Sequence, residues 1–103
     1  MAERICFRLH VRLDKRDEYV RRHAEVWPEM REALQQAGWQ NYSLFLADDG
    51  TLIGYLECED FAAAQAAMAA TEVNTRWQRE MAEFFGGRPD EGIRPEPEIF
   101  HLN

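Results

Sequence analysis

Apolar and polar residues alternate across residues 4–13, where Ile5, Phe7, Leu9 and Val11 stand against Cys6, Arg8, His10 and Arg12. A period of two predicts a strand with one face buried. Asp14 then offers a side-chain cap for a helix. Tyr19, Val20, His23, Val26, Trp27, Met30, Ala33, Leu34 and Ala37 follow at helical spacing, and Gly38 closes the run as a left-handed residue beyond a helix end does. Pro28 lies inside that run and removes a backbone donor, so the pattern predicts a kink where the Ala24 carbonyl loses its partner.

Two short runs of strand character, 40–47 and 51–58, are separated by Asp48-Asp49-Gly50, which predicts a hairpin. Asp60 is placed to cap a helix through about residue 70, and Thr71 a second over 72–85. Val73, Trp77, Met81, Phe84 and Phe85 share a stripe of that last helix. A loop rich in Gly, Pro and acids covers 86–97, and 98–102 again has strand character.

Strand, helix, strand, strand, split helix, strand is the order of a ferredoxin-like βαββαβ subunit, an α+β fold with its helices on one sheet face. The other face must be covered or meet water. Leu44 and Leu46 lie opposite Phe45 and Ala47, so both faces are apolar, and a second copy's sheet is the simplest cover. The expectation is a homodimer, a dimeric α+β barrel in which two sheets face one another and enclose a cleft.

The chain has 103 residues and no repeat or linker, so 1–103 reads as one domain. An apolar content of 46% excludes wholesale disorder. A net charge of -7 repels phosphate backbones and anionic bilayers, so neither nucleic acid nor membrane is an expected partner. Met1-Ala2-Glu3-Arg4 does not open an export signal, and the longest charge-free stretch, 33–47, is too short and too polar to span a bilayer. Cys6 and Cys58 give neither metal-ligand spacing nor a disulfide framework. The expected location is the cytoplasm.

Tyr19 and His23 stand four apart, which places their Cβ atoms about 5–6 Å apart on one helix face. Trp27 follows one turn on. An imidazole with an ordinary pKa of about 6.5 can both give and take a proton near neutrality. Between a phenol and an indole it makes a small site for a polar solute, although the same stripe also fits plain core packing. Tyr42 on the hairpin adds a hydroxyl. Trp77 adds a broad aromatic face that suits a sugar's C–H surface or a core neighbour. Glu25, Glu29, Glu57 and Glu59 read most simply as solvated charges, although Glu29 beside the kink at Pro28 has the option of turning inward.

His10, His23 and His101 have no metal-ligand spacing, and no phosphate loop, G-x-S-x-G or oriented Cys–His pair is present. No metal, cofactor or covalent intermediate is expected. Asn41-Tyr42-Ser43 matches a glycosylation pattern, which is coincidental in a cytoplasmic chain.

Glu18-Tyr19-Val20-Arg21-Arg22-His23-Ala24-Glu25-Val26-Trp27-Pro28-Glu29-Met30 resembles the signature of the L-rhamnose mutarotase family. So do Asn41-Tyr42-Ser43-Leu44-Phe45-Leu46 and Thr71-Glu72-Val73-Asn74-Thr75-Arg76-Trp77, in the same order with nearly the same gaps. The resemblance spans essentially the whole chain and implies a dimer of ferredoxin-like subunits. It also implies an isomerase that exchanges the anomers of a monosaccharide. The family's proton donor falls on His23 and its substrate contacts on Tyr19, Tyr42 and Trp77, with Trp27 and Glu29 in support. Where the family often carries a second Trp, this chain has Gln78, an amide that can bind a hydroxyl. That exchange makes L-fucose a rival to L-rhamnose. A cofactor-free monooxygenase and a non-catalytic sugar-binding module are the alternative readings, since the fold alone does not separate them.

Overall fold

The computed structural model describes residues 2–85 and 93–102. Strand β1 (Glu3–His10) turns Ile5, Phe7 and Leu9 inward, as the alternation predicts. Val11 N–H still meets the Gly50 carbonyl at 2.8 Å, and the run is broken where Arg12 N–H is taken by Phe84 O at 2.8 Å. Arg12 thus satisfies a carbonyl at the end of the last helix, a place where helices leave acceptors open. Asp14 does not cap a helix. It lies within a single 3₁₀ turn, Leu13–Lys15, and its carboxylate takes a hydrogen bond from Arg12 at 3.2 Å.

The predicted kink at Pro28 is instead a break between α1 (Arg16–Ala24) and α2 (Pro28–Gln36). A residue before proline is driven out of the helical region, and Trp27 sits at φ -53°, ψ 134°. Proline itself then serves as the first residue of α2, where a missing N–H costs nothing. Helix α2 ends as its glycine predicts. Gly38 has φ +93°, its N–H reaches Gln35 O at 3.1 Å, and Trp39 N–H reaches Leu34 O at 3.0 Å, the paired bonds of a Schellman motif.

The hairpin joins β2 (Gln40–Leu46) to β3 (Thr51–Cys58), with Gly50 at φ +92° in the turn. Asp60 caps α3 (Phe61–Ala69) by accepting from Ala63 N–H at 3.2 Å. Thr71 Oγ1 caps α4 (Glu72–Phe85) by accepting from Asn74 N–H at 3.2 Å.

The strands form an antiparallel sheet of order β1-β3-β2. Helices cover the inner face over a core centred on Phe7, Leu52, Leu56, Met81 and Phe84. The free edge of β1 is where the fourth ferredoxin strand belongs. Residues 95–98 run along it, with Pro95 bridged to Phe7 and Glu96 N–H on the Cys6 carbonyl at 2.7 Å. The strand predicted over 98–102 does not form. Pro95 and Pro97 cannot donate to a ladder, and the antiparallel register brings Glu98 to Arg4, where their side chains pair at 2.6 Å. Beyond that point β1 has run out, and Ile99, Phe100 and Leu102 are exposed. The loop read from the sequence falls largely on 86–92, outside the described residues. Among the described residues no helix is long and apolar enough to cross a membrane.

Candidate active site

A cavity of about 970 Å³ lies between the inner sheet face and the helices of one chain. It is therefore not the cleft between two sheets that the strand pattern predicts. Phe7, Leu9, Leu44 and Leu52 form its sheet side, α1 contributes Tyr19 and His23, and α4 contributes Asn74, Trp77, Gln78, Met81 and Phe85. Asn41, Tyr42, Gln35 and Gln65 add further polar groups. Among the described residues of its wall there is no Asp or Glu. Arg31 also lines the cavity; apart from it, a wall of amides, phenols and aromatic rings suits a neutral ligand with both hydroxyls and apolar faces.

His23 is half-buried, and its Nδ1–H donates to the Tyr19 carbonyl oxygen at 3.0 Å. A carbonyl only accepts, so the neutral ring carries its proton on Nδ1 and leaves Nε2 as a lone-pair acceptor. Burial is the main influence on this imidazole and lowers its pKa below the ordinary 6.5, only partly offset by the bond to Tyr19 O. The Tyr19 ring packs on His23 with centroids 4.2 Å apart, and Trp77 meets it edge-on at 5.5 Å. Tyr19 thus orients the imidazole through its backbone carbonyl and ring.

Burial raises the Tyr19 phenol well above its usual range, and the nearby Tyr42 raises it further. Tyr42 is raised by burial as well. Both phenols stay neutral across ordinary pH and can donate hydrogen bonds; neither is a base.

Trp77 is 7% exposed and meets Trp27 edge-on at 5.0 Å. Trp27 is not part of the cavity wall; it backs Trp77 from outside and carries the Arg76 guanidinium over its ring at 5.7 Å. Glu29 does not turn inward. Its side chain is 74% exposed and pairs with Arg76 at 3.3 Å, so it cannot reach the cavity. The helix break explains this. Restarting the helix at Pro28 puts Glu29 in an exposed first turn while Met30, next along, goes into the core.

The sequence reading missed two residues. Asn74 is 3% exposed and accepts a hydrogen bond on Oδ1 from Gln78 Nε2 at 2.9 Å. The four-residue spacing to Gln78 was the signal that pointed to it. Asn41 has φ +51° at a bulge where β2 carries one residue more than β3, and its Nδ2–H donates to Glu57 at 2.9 Å. Asparagine tolerates that left-handed backbone better than most residues. Next to it Tyr42 packs edge-on against Trp39 at 5.0 Å.

Fold and cavity define a small ferredoxin-like α+β protein with an aromatic-walled pocket around one imidazole, without a carboxylate among its described wall residues. A model of the L-rhamnose mutarotase family matches residues 4–102. The L-rhamnose mutarotase of Burkholderia cenocepacia (strain HI2424) is 40% identical over 105 residues, 97% of this chain and 98% of that protein. That of Bacillus subtilis (strain 168) is 47% identical over 75 residues, 72% of this chain and 71% of that protein. The crystal structure of L-rhamnose mutarotase FA22100 from Formosa agariphila superposes with a TM-score of 0.81 at 25% identity, covering 98% of this chain and 99% of that one. The chain belongs to the L-rhamnose mutarotase family and is an isomerase acting on a carbohydrate. Rv0793 from Mycobacterium tuberculosis, at 14% identity and a TM-score of 0.61 over the full length of both chains, shares the fold alone.

Proposed function

We propose that this chain exchanges the α and β anomers of a 6-deoxy-L-hexose, L-rhamnose before L-fucose, as a cytoplasmic homodimer. One observation carries the reading. A half-buried imidazole has Nδ1 tied down and, among the described residues, no partner on Nε2, and it stands in a cavity walled mainly by amides, phenols, aromatic rings and aliphatic side chains, with Arg31 as a charged member. Two free cysteines, Cys6 and the buried Cys58, fit a reducing compartment.

Opening a cyclic hemiacetal requires a proton to leave the anomeric hydroxyl and a proton to reach the ring oxygen. Nε2 of His23 takes the first, since it holds the lone pair. The imidazolium so formed, or a water, delivers a proton to the ring oxygen as the C1–O5 bond breaks and the aldehyde forms. Rotation about C1–C2 and reclosure by the reverse transfers give the other anomer. Oxidation state is unchanged throughout. Tyr19 and Tyr42 donate hydrogen bonds to hydroxyls, Gln78 binds another, and Trp77 covers an apolar face of the ring while Trp27 supports it from behind.

Saturation transfer between the α and β H1 resonances tests this reading. Exchange is expected to exceed the solvent rate in proportion to protein, and to be faster for L-rhamnose than for L-fucose. Solvent-rate exchange on both sugars contradicts the proposal. The pH dependence has a definite sign. With its pKa below 6.5, His23 is neutral at pH 7 and ready to accept. After subtraction of the solvent reaction, kcat/KM is expected to hold level near neutrality and to fall once pH drops below 6.5. A profile that rises toward acid contradicts a base that works neutral.

The dimer is supported by the outer sheet face, where Phe45 and Ile53 are cross-strand neighbours, 60% and 36% exposed. Sedimentation velocity is expected to give a dimer for the parent and a shift toward monomer for Phe45→Lys with Ile53→Lys. A monomeric parent contradicts the assembly.

A further inference from the structure

We infer that Asn74 and Gln78 form a subsite that reads one ring hydroxyl and thereby selects among related sugars. This deepens, and rests on, the reading of the cavity as a sugar site. Both residues line the cavity from α4, one turn apart. Asn74 is held first: its N–H is fixed by the Thr71 hydroxyl at 3.2 Å, and its side chain is buried. It holds Gln78 in turn, since its Oδ1 accepts from Gln78 Nε2 at 2.9 Å.

That bond occupies one end of the Gln78 carboxamide. The other end, Oε1, is buried without a hydrogen-bond partner, and among the described residues no other buried side-chain nitrogen or oxygen is in that state. Turning both amides over would exchange donor for acceptor, yet one end would still be tied and one open. A hydroxyl satisfies either arrangement because it both donates and accepts. The terminal torsion of glutamine is broad, so the open end can turn toward a ligand at the wall. Among the described wall residues there is no carboxylate, which favours a neutral hydroxyl over a cationic group. L-Rhamnose and L-fucose differ in configuration at C2 and C4, so a group that reads one of those hydroxyls tells them apart.

The test is a cycle between ligand and protein. Binding of L-rhamnose and of its 2-, 3- and 4-deoxy analogues is measured by calorimetry with the parent, Gln78→Met and Asn74→Ala. For the parent, one analogue is expected to bind at least about fivefold more weakly than L-rhamnose, the scale of one net hydrogen bond. In Gln78→Met, which keeps the chain length without the amide, that difference is expected to fall within about twofold. Asn74→Ala releases the carboxamide, so the same difference shrinks while affinity for the analogue lacking that hydroxyl stays within about twofold. A merely structural loss would weaken all four ligands together.

If no hydroxyl couples to Gln78 beyond about twofold, the subsite is overturned even where anomer exchange is accelerated. If the coupling is present while exchange stays at the solvent rate, the subsite stands and the proposed activity falls.

Discussion

Replacing His23 with alanine is expected to slow anomer exchange at least about a hundredfold, equivalent to about 2.7 kcal/mol of barrier. The expectation comes from how the ring is held. Nδ1 is committed to the Tyr19 carbonyl, and Tyr19 and Trp77 fix the ring plane from two sides. What remains is one nitrogen beside a cavity, and no Asp or Glu among the described wall residues can substitute for it. Alanine also leaves space between Tyr19 and Trp77, so added imidazole is expected to restore part of the rate to His23→Ala. His23→Gln keeps polar volume but has no group that titrates near neutrality, and is expected to stay as slow as alanine. Exchange by either variant within about twofold of the parent would remove His23 from the proton transfers.

The second large effect is on stability. Gly54 lies opposite Phe7 in the sheet, and a Cβ built on it would stand 2.2 Å from Cζ of the Phe7 ring and under 3 Å from both Cε atoms. Phe7 is 1% exposed within the core cluster, so moving its ring aside displaces core neighbours or intrudes on the cavity it borders. Gly54→Val is expected to cost about 3 kcal/mol or more through overpacking. For a chain of this size that lowers Tm by more than about 10 °C. Shrinking the ring in Gly54→Val with Phe7→Leu is expected to recover part of the loss, because the two sites share one space. A Tm for Gly54→Val within about 2 °C of the parent would show that the ring can move aside.

Much of the architecture was legible because local signals and tertiary packing agree. The alternation through Ile5, Phe7 and Leu9, the Asp48-Asp49-Gly50 turn, the Gly38 helix end and the caps at Asp60 and Thr71 all carry their own backbone chemistry, and each recurs in the fold. Two misreadings came from competing rules. Helical periodicity ran through Trp27, but the restriction before Pro28 is stronger there and splits the helix. The β-character of 98–102 is real in composition, yet a strand needs a neighbour, and the register with β1 is exhausted at that point.

The site divides in the same way. His23 and Tyr19 were visible as a four-residue pair, although the bond between them uses Tyr19's carbonyl, which side-chain spacing does not specify. Glu29 keeps its solvated reading, while its inward turn and supporting role depended on a kink that is in fact a restart. Asn74 was passed over as a residue between better-marked positions, and only its burial and its bond to Gln78 reveal it.

Nitrogen-15 NMR of the His23 ring examines the proposed chemistry at the atom that performs it. At pH 7 the account predicts a neutral ring with Nδ1 protonated and Nε2 bare, a pKa below 6.5, and an Nε2 resonance that moves when L-rhamnose is added. A ring protonated on Nε2 at pH 7, or an Nε2 signal indifferent to the sugar, would contradict it.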